Sequence, residues 1–271
     1  MASDSLDQVH DSRAGLPAAI GVALSAFFLF GLMWTPVGLA VLVASIGYAW
    51  VVSKPLAQDL ILIGIGLCAV ATTSVKADIS WPRFFAIGAA LAAAVALPFL
   101  MDRFVYRREV IRFPWRGGQA WTGVQKFYLL LVPFLAWLIL PFYFITSGAY
   151  ENWPAIHEPS EYARFFVGVN AVGTWDELFF ICTCFVLLRR HFPMWQANLL
   201  QAVIFVSFLW ELGYQQWGPL LTFPFALLQG YIFTKTRSLT YVVIVHLLFD
   251  AIVFLAIVHA HDRSFFPFFL Y

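Results

Sequence analysis

Two carboxylates stand side by side at Asp176 and Glu177, inside an apolar run between Phe165 and Leu188 that is long enough to cross a bilayer. An ionisable side chain at membrane depth is costly and marks a functional site by default. Three more interrupt later apolar runs: Glu211, His246 and Asp250. His246 and Asp250 are four residues apart and so share one helix face. Asp176 and Glu177 are neighbours about a quarter-turn apart, so both line one cavity only if it is wide or their helix forms its wall. Counted from the helix ends at a rise of about 1.5 Å per residue, Asp176, Glu177 and Asp250 lie about 18–20 Å deep, His246 about 14 Å and Glu211 about 20–27 Å. The five are expected to share one layer. For Glu211, four residues before Gln215-Gln216-Trp217-Gly218, a bond to neighbouring backbone is the competing reading.

Four carboxylates and a histidine in a dry interior cannot all be ionised without a cation or shared protons. Two chemistries suit such a set. A buried carboxylate acts as general base on water, with the histidine relaying protons. Alternatively, Glu177, Glu211, His246 and Asp250 hold a divalent metal, since carboxylates with imidazole suit Zn, Mn or Fe. The Glu-x-x-His spacing of di-iron bundles is absent.

The elements that must position these groups are membrane helices. The 271 residues are 62% hydrophobic and 11% charged, with mean hydropathy +0.81, more apolar surface than a soluble core of this size buries. Apolar segments fall near 15–34, 37–53, 58–75, 80–101, 126–146, 163–188, 198–215, 218–234 and 238–258. They predict an all-α, polytopic transmembrane bundle of nine helices, or eight if the short second segment forms a re-entrant hairpin with the first. The chain divides into a polar tail (1–14), a front block of four helices (15–101), a basic amphipathic connection (102–125), a core carrying the site (126–258) and a C-terminal tail (259–271). Helices of the front block hold Gly, Ala, Leu, Ile and Phe, with Gly64 and Gly66 the only local feature, and are read as scaffold. The connection mixes Arg103, Arg107, Arg108, Arg112 and Arg116 with aromatic and aliphatic residues, as segments lying along a membrane surface do; the competing reading is a positive-inside loop and nothing more.

Assigning loops to alternate sides places Arg13, Lys54, Arg103, Arg107, Arg108, Arg112, Arg116, Lys126, Arg189, Arg190, Lys235 and Arg237 on one side. Lys76, Arg83, Arg164 and Arg263 fall on the other, and twelve plus four accounts for all 16 basic residues. The richer side is expected to be cytoplasmic, with the N-terminus inside and a bacterial inner (plasma) membrane as the location. The acidic start, with Asp4, Asp7 and Asp11, is unlike a signal peptide. Cys68, Cys182 and Cys184 have no Cys-x-x-Cys spacing, which argues against disulfides and thiolate metal sites. A net charge of +1 and the absence of any RNP, zinc-finger or helix-turn-helix pattern set nucleic acid aside. The expected partners are the lipid bilayer and a membrane-embedded peptide or lipid-like substrate.

The run Gln229-Gly230-Tyr231-Ile232-Phe233-Thr234-Lys235-Thr236-Arg237-Ser238-Leu239, followed by His246-Leu247-Leu248-Phe249-Asp250, resembles the CPBP family of CAAX-prenyl and bacteriocin-processing membrane proteases. The resemblance covers about residues 125–258. It matches the family's Gly-Tyr, Lys-Thr, Ser-Leu and His-x-x-x-Asn/Asp order. In the Glu-Glu-x-x-x-Arg motif, Asp176 takes the first position, Glu177 the second, and Ile181 stands where Arg is expected. In the Phe-x-x-x-His motif Ser207 and Glu211 occupy the two positions. The resemblance implies a CPBP-like helical core and an endopeptidase in which Asp176 is general base, Glu177 its orienting partner and His246 the oxyanion or relay group, with Asp250 and Glu211 completing the site. The two altered motifs keep two other readings open: a metal-dependent membrane enzyme acting on a lipid or isoprenoid-like substrate, and a non-catalytic membrane chaperone or immunity-type partner.

Overall fold

The computed structural model describes residues 13–117 and 120–271, so most of the polar tail, with Asp4, Asp7 and Asp11, lies outside the described residues. Among the described residues there are nine long helices and no strand. They are α1 (Arg13–Gly31), α2 (Thr35–Val52), α3 (Lys54–Val70), α4 (Trp81–Val105), α5 (Gly123–Ser147), α6 (Pro159–Arg189), α7 (Met194–Leu212), α8 (Pro219–Thr236) and α9 (Leu239–His261). The expected all-helical membrane bundle is present. Six of the helices, α1, α2, α4, α5, α6 and α9, are long and apolar enough to cross a membrane.

Local chemistry explains most of the boundaries. Five helices carry proline in their first turn, where a missing N–H costs nothing: Pro36, Pro55, Pro82, Pro159 and Pro219; in α1, Pro17 follows the 3-10 turn Arg13–Gly15, at the start of the α-helical part. Helix α5 starts with a capping box, Thr122 and Gln125 each bonding the other's backbone N–H. It ends at Gly148, whose φ of 72° is the left-handed turn that glycine accepts without strain. The hydroxyl of Ser238 caps α9 by accepting from the Tyr241 N–H.

Helix α6 is the axis of the bundle, with 78% of its apolar window enclosed by other helices. Helices α3 and α4 of the front block and α7, α8 and α9 of the back block all pack on it, while α1 packs along α7 and α5 along α9. The front and back blocks therefore share one interior. Gly66 shows how closely they meet, because a Cβ there would lie 2.2 Å from the Phe179 ring of α6. Helix packing through small residues is the membrane substitute for a water-driven core.

The front block is more than apolar scaffold. Asp59 on α3 is buried and accepts from Arg108 Nη2 (2.8 Å) and Arg190 Nη1 (2.6 Å), with His191 Nε2 2.7 Å away. Buried Asp102, on the last turn of α4, accepts from Arg108 Nε (3.0 Å) and the Val110 and Ile111 N–H groups (2.8 and 3.1 Å). This knot corrects the reading in which Gly64 and Gly66 were the only local features of the block. The aspartates lie close to helix ends, where hydropathy averages them away. Arg108 of the basic connection thus turns inward, and Glu109 pairs with both Arg103 and Arg112 at the surface. The connection also ties to α9 through Leu239 N–H to Pro114 O (3.2 Å) and the hydroxyl of Thr240 to Trp115 O.

Loop contacts sort onto two ends of the bundle. Asp59, Arg108, Arg190 and His191 meet at the basic-rich end. At the other, Glu211 meets the α3–α4 loop, Arg164 donates to Ile79 O, Asn152 donates to Gly213 O, and the His261 ring meets Trp153 O.

Candidate active site

Helix α6 changes winding where its chemistry begins. Residues Glu177–Phe185 form a π-helical stretch inside the longer helix, a widening that recurs at functional sites. Thr183 Oγ1 donates to the carbonyl of Leu178, five residues back (2.9 Å). Just before the stretch, the Trp175 indole N–H donates to Leu91 O of α4 (2.7 Å), anchoring the helix. Across from it, α9 presents His246 and α8 presents Gln229.

The two adjacent carboxylates meet opposite ends of one imidazole. Nδ1 of His246 is 2.7 Å from Glu177 Oε1, and Nε2 is 3.6 Å from Asp176 Oδ2 and 3.9 Å from Asp250 Oδ1. The quarter-turn between neighbours on α6, which seemed to demand a wide cavity, is taken up by the width of the histidine ring. Gln229 Nε2 also donates to Glu177 Oε1 (2.6 Å) and to Val242 O (3.2 Å). Glu177 Oε1 thus meets both Gln229 Nε2 and His246 Nδ1, which fixes the ring with Nε2 directed toward Asp176 and Asp250. Phe225 meets the imidazole edge-on at 5.1 Å between ring centres. All four charged groups are buried, and Asp176 Oδ1 and Asp250 Oδ2 accept no hydrogen bond. Glu177 Oε2 is likewise buried without a partner, so each of the three carboxylates around His246 keeps one oxygen unpaired, which is unusual for a packed interior.

These groups lie at the inner end of a cavity of about 360 Å³, the size of a small-molecule or side-chain pocket. Its walls are apolar, from Phe84, Ile87 and Leu91 of α4 to Phe165, Val169 and Val172 of α6, with Asp176, His246 and Asp250 at the polar end. Asp78 and Arg164 stand at its mouth. The Ser80 N–H and then the Ser80 hydroxyl hold the Asp78 carboxyl below its usual range.

Of the five residues singled out in the sequence, four gather here and Glu211 does not. Its Oε1 accepts from Ser74 Oγ (2.9 Å) and the Val75 N–H (3.2 Å), tying the α3–α4 loop to the end of α7. Helix α7 begins at Met194, so Glu211 lies 17 residues in, about 26 Å along the axis and past the layer of Asp176 and Asp250. The backbone bond that competed with a site role is the one it makes. Without Glu211 the four proposed ligands are not assembled, and among the described residues no group of three or more His, Cys, Asp or Glu side chains is arranged to hold a metal ion.

Two residues at the site were not singled out by charge. Gln229 is fully buried and orients Glu177; the only sequence signal was an amide inside an apolar helix, and it stood in the run that carried the family resemblance. Gly173, one turn before Glu177, has Asp250 against its backbone, and a Cβ there would sit 1.8 Å from Asp250 Oδ2. Gly173→Ala is therefore expected to displace the Asp250 carboxyl, to crowd the His246 ring 3.0 Å away, and to lower turnover at least about tenfold. Overpacking of this kind costs about 1–3 kcal/mol, so turnover is compared below the melting transition of both proteins. Equal turnover in Gly173→Ala and the parent would show that the position of Asp250 is immaterial.

Residues 158–252 match the family model described as type II CAAX prenyl endopeptidase, Rce1-like. The match takes in α6 to α9 up to the turn after Asp250, and so includes all four gathered residues. No curated protein and no solved structure matches the chain.

Proposed function

We propose that the chain is an intramembrane hydrolase, a divergent endopeptidase of the CPBP type acting on a membrane-embedded or lipidated peptide. One observation carries this: His246 is held at Nδ1 by Glu177 while Nε2, Asp176 and Asp250 converge on the inner end of an apolar cavity. The Rce1-like match over the same segment supports it.

The chemistry runs through the chain's own side chains. Asp176, as carboxylate, takes a proton from a water at its Oδ atoms, and the water oxygen bonds to the scissile carbonyl carbon. When the C–N bond breaks, that proton passes from Asp176 by way of His246 Nε2 to the leaving amine. Glu177 stabilises the imidazolium while it carries the proton and keeps the ring turned, the role a buried carboxylate plays behind a catalytic histidine. Asp250 flanks the same nitrogen one helical turn on. Excluding bulk water from the cavity strengthens each of these electrostatic effects.

The test is cleavage by the purified protein in lipid vesicles, with membrane-spanning peptides as substrates and products read by mass spectrometry. Products formed equally with and without chelator support this reading. Stoichiometric metal in the protein, with cleavage lost to chelator, moves it to the metal-dependent enzyme. A cellular phenotype that survives both Asp176→Ala and His246→Ala leaves the non-catalytic partner.

Glu211 gives a separate prediction. Glu211→Ala strips the partner from Ser74 Oγ and the Val75 N–H and is expected to cost about 1–3 kcal/mol of stability, as unsatisfied buried groups do. Turnover per folded molecule stays within about twofold of the parent. Thermal unfolding in detergent beside the vesicle assay separates the effects, and an activity loss like that of a His246 variant would return Glu211 to the catalytic set.

A further inference from the structure

The cavity has a mouth, and the mouth faces one end of the bundle. At that end the cavity is lined by Ala77, Asp78 and Ile79 of the α3–α4 loop and Arg164 in the opening turns of α6, all partly or fully exposed, together with buried Val75, Trp153 and Tyr214. Every one belongs to the end holding four of the sixteen basic residues. Among the described residues, none from the basic-rich connections lines the cavity. That end is closed instead, by the Asp59 knot, by the Pro114 and Trp115 bonds to α9, and by fully buried Ile181, Leu187, Leu239 and Val242. From the mouth the apolar walls run between α4 and α6, whose outer surfaces carry the exposed side chains Phe85, Phe166 and Val167.

Basic residues collect on the cytoplasmic side of membrane proteins because translocating them is unfavourable. We infer that the site opens away from the cytoplasm, and that its substrate is a peptide anchored by an apolar group in the outer, extracytoplasmic leaflet, the apolar group entering between α4 and α6. Asp176, His246 and Asp250 line the cavity at the end of that route. The substrate class rests on the hydrolase reading; the side of entry does not.

Introduced cysteines in the full chain, on a Cys68→Ala background that keeps only the buried Cys182 and Cys184, test the side. Asp78→Cys stands at the mouth, and Gly123→Cys at the start of α5 on the opposite end, where an added Cβ meets open space. A membrane-impermeant maleimide added to intact spheroplasts is expected to label Asp78→Cys at least tenfold more than Gly123→Cys, and the two equally after permeabilisation. Lys76→Cys, in the same exposed loop, repeats the measurement should loss of the Asp78 cap on Ser80 N–H impair folding. Preferential labelling of Gly123→Cys, or equal labelling before permeabilisation, overturns the inference. A photoactivatable palmitate in vesicles then tests the route. It is expected to label the α4 and α6 wall segments, with labelling cut at least fivefold by Gly168→Phe, while the exposed α5 surface at Phe127 and Leu130 stays labelled. Unchanged wall labelling rejects entry between α4 and α6. Because none of these readouts requires turnover, a protein that never hydrolyses a peptide can still pass or fail on the side of entry.

Discussion

Asp176→Asn in the vesicle assay is expected to lower turnover by about 10²–10⁴-fold, the contribution of a positioned general base. The amide is nearly the same size as the carboxylate, and Asp176 makes no hydrogen bond that the change would break: its Oδ1 is unpartnered and its Oδ2 stands 3.6 Å from His246 Nε2. Folding should therefore survive, and the melting temperature should stay within a few degrees of the parent or rise, because a buried charge without a close partner is costly. His246→Ala is expected to match the loss in turnover but not the stability, since it leaves Glu177 with Gln229 as its remaining side-chain donor. The double variant separates a base and relay that work as a unit from two independent groups. A working pair gives a double-variant loss close to either single one, whereas independent groups multiply. Full activity in Asp176→Asn would remove Asp176 as base and leave His246 and Asp250, which line the same cavity, as the remaining candidates.

The parts of this molecule legible in the sequence are those written in local chemistry. Nine apolar runs mark the nine long helices among the described residues. Asp176, Glu177, His246 and Asp250 stood out because ionisable groups are rare at membrane depth, and the four-residue spacing put the last two on one face. Glu211 looked the same by that criterion. Its destination depended on where α7 begins, a shift of four residues from Asn198 to Met194 that carries the carboxylate a full turn past the site. Gln229 and Gly173 carry no charge, and their roles appear only when α8 and α9 are seen across α6. Adjacency of Asp176 and Glu177 was legible, but its resolution was not: one imidazole between two carboxylates needs α9 at a particular distance and the widened turns after Asp176. The Asp59 knot escaped for the opposite reason. Its aspartates, arginines and histidine are spread over positions 59 to 191, and charges near helix ends read as ordinary loop polarity.

That knot leads to the largest expected effect on stability. Asp59 is 1% exposed and is bonded by Arg108 and Arg190, whose side chains are 19% and 30% exposed, with His191 at the same carboxylate. Removing the acid in Asp59→Ala leaves two guanidinium groups and an imidazole facing one another beside a small cavity. Breaking a buried pair from one side costs about 3–5 kcal/mol, and partial exposure of the arginines places this case near the lower figure. Asp59→Asn keeps the volume and can still accept, so it is expected to lose less, and the difference between the two variants reports the charge itself. The effect should extend to the site, because Arg190 follows the last residue of α6 and the widened segment begins only thirteen residues earlier, at Glu177. Thermal unfolding in detergent measures the first consequence. Turnover below the melting transition measures the second, and a several-fold loss is expected for Asp59→Ala, reduced when Arg190→Gln is added to remove the opposing charge. If Asp59→Ala melted like the parent, Arg108 would be held well enough by Asp102, Arg190 and His191 would have to find other partners or water, and the hold of the basic-rich end on α6 would lie in helix packing alone.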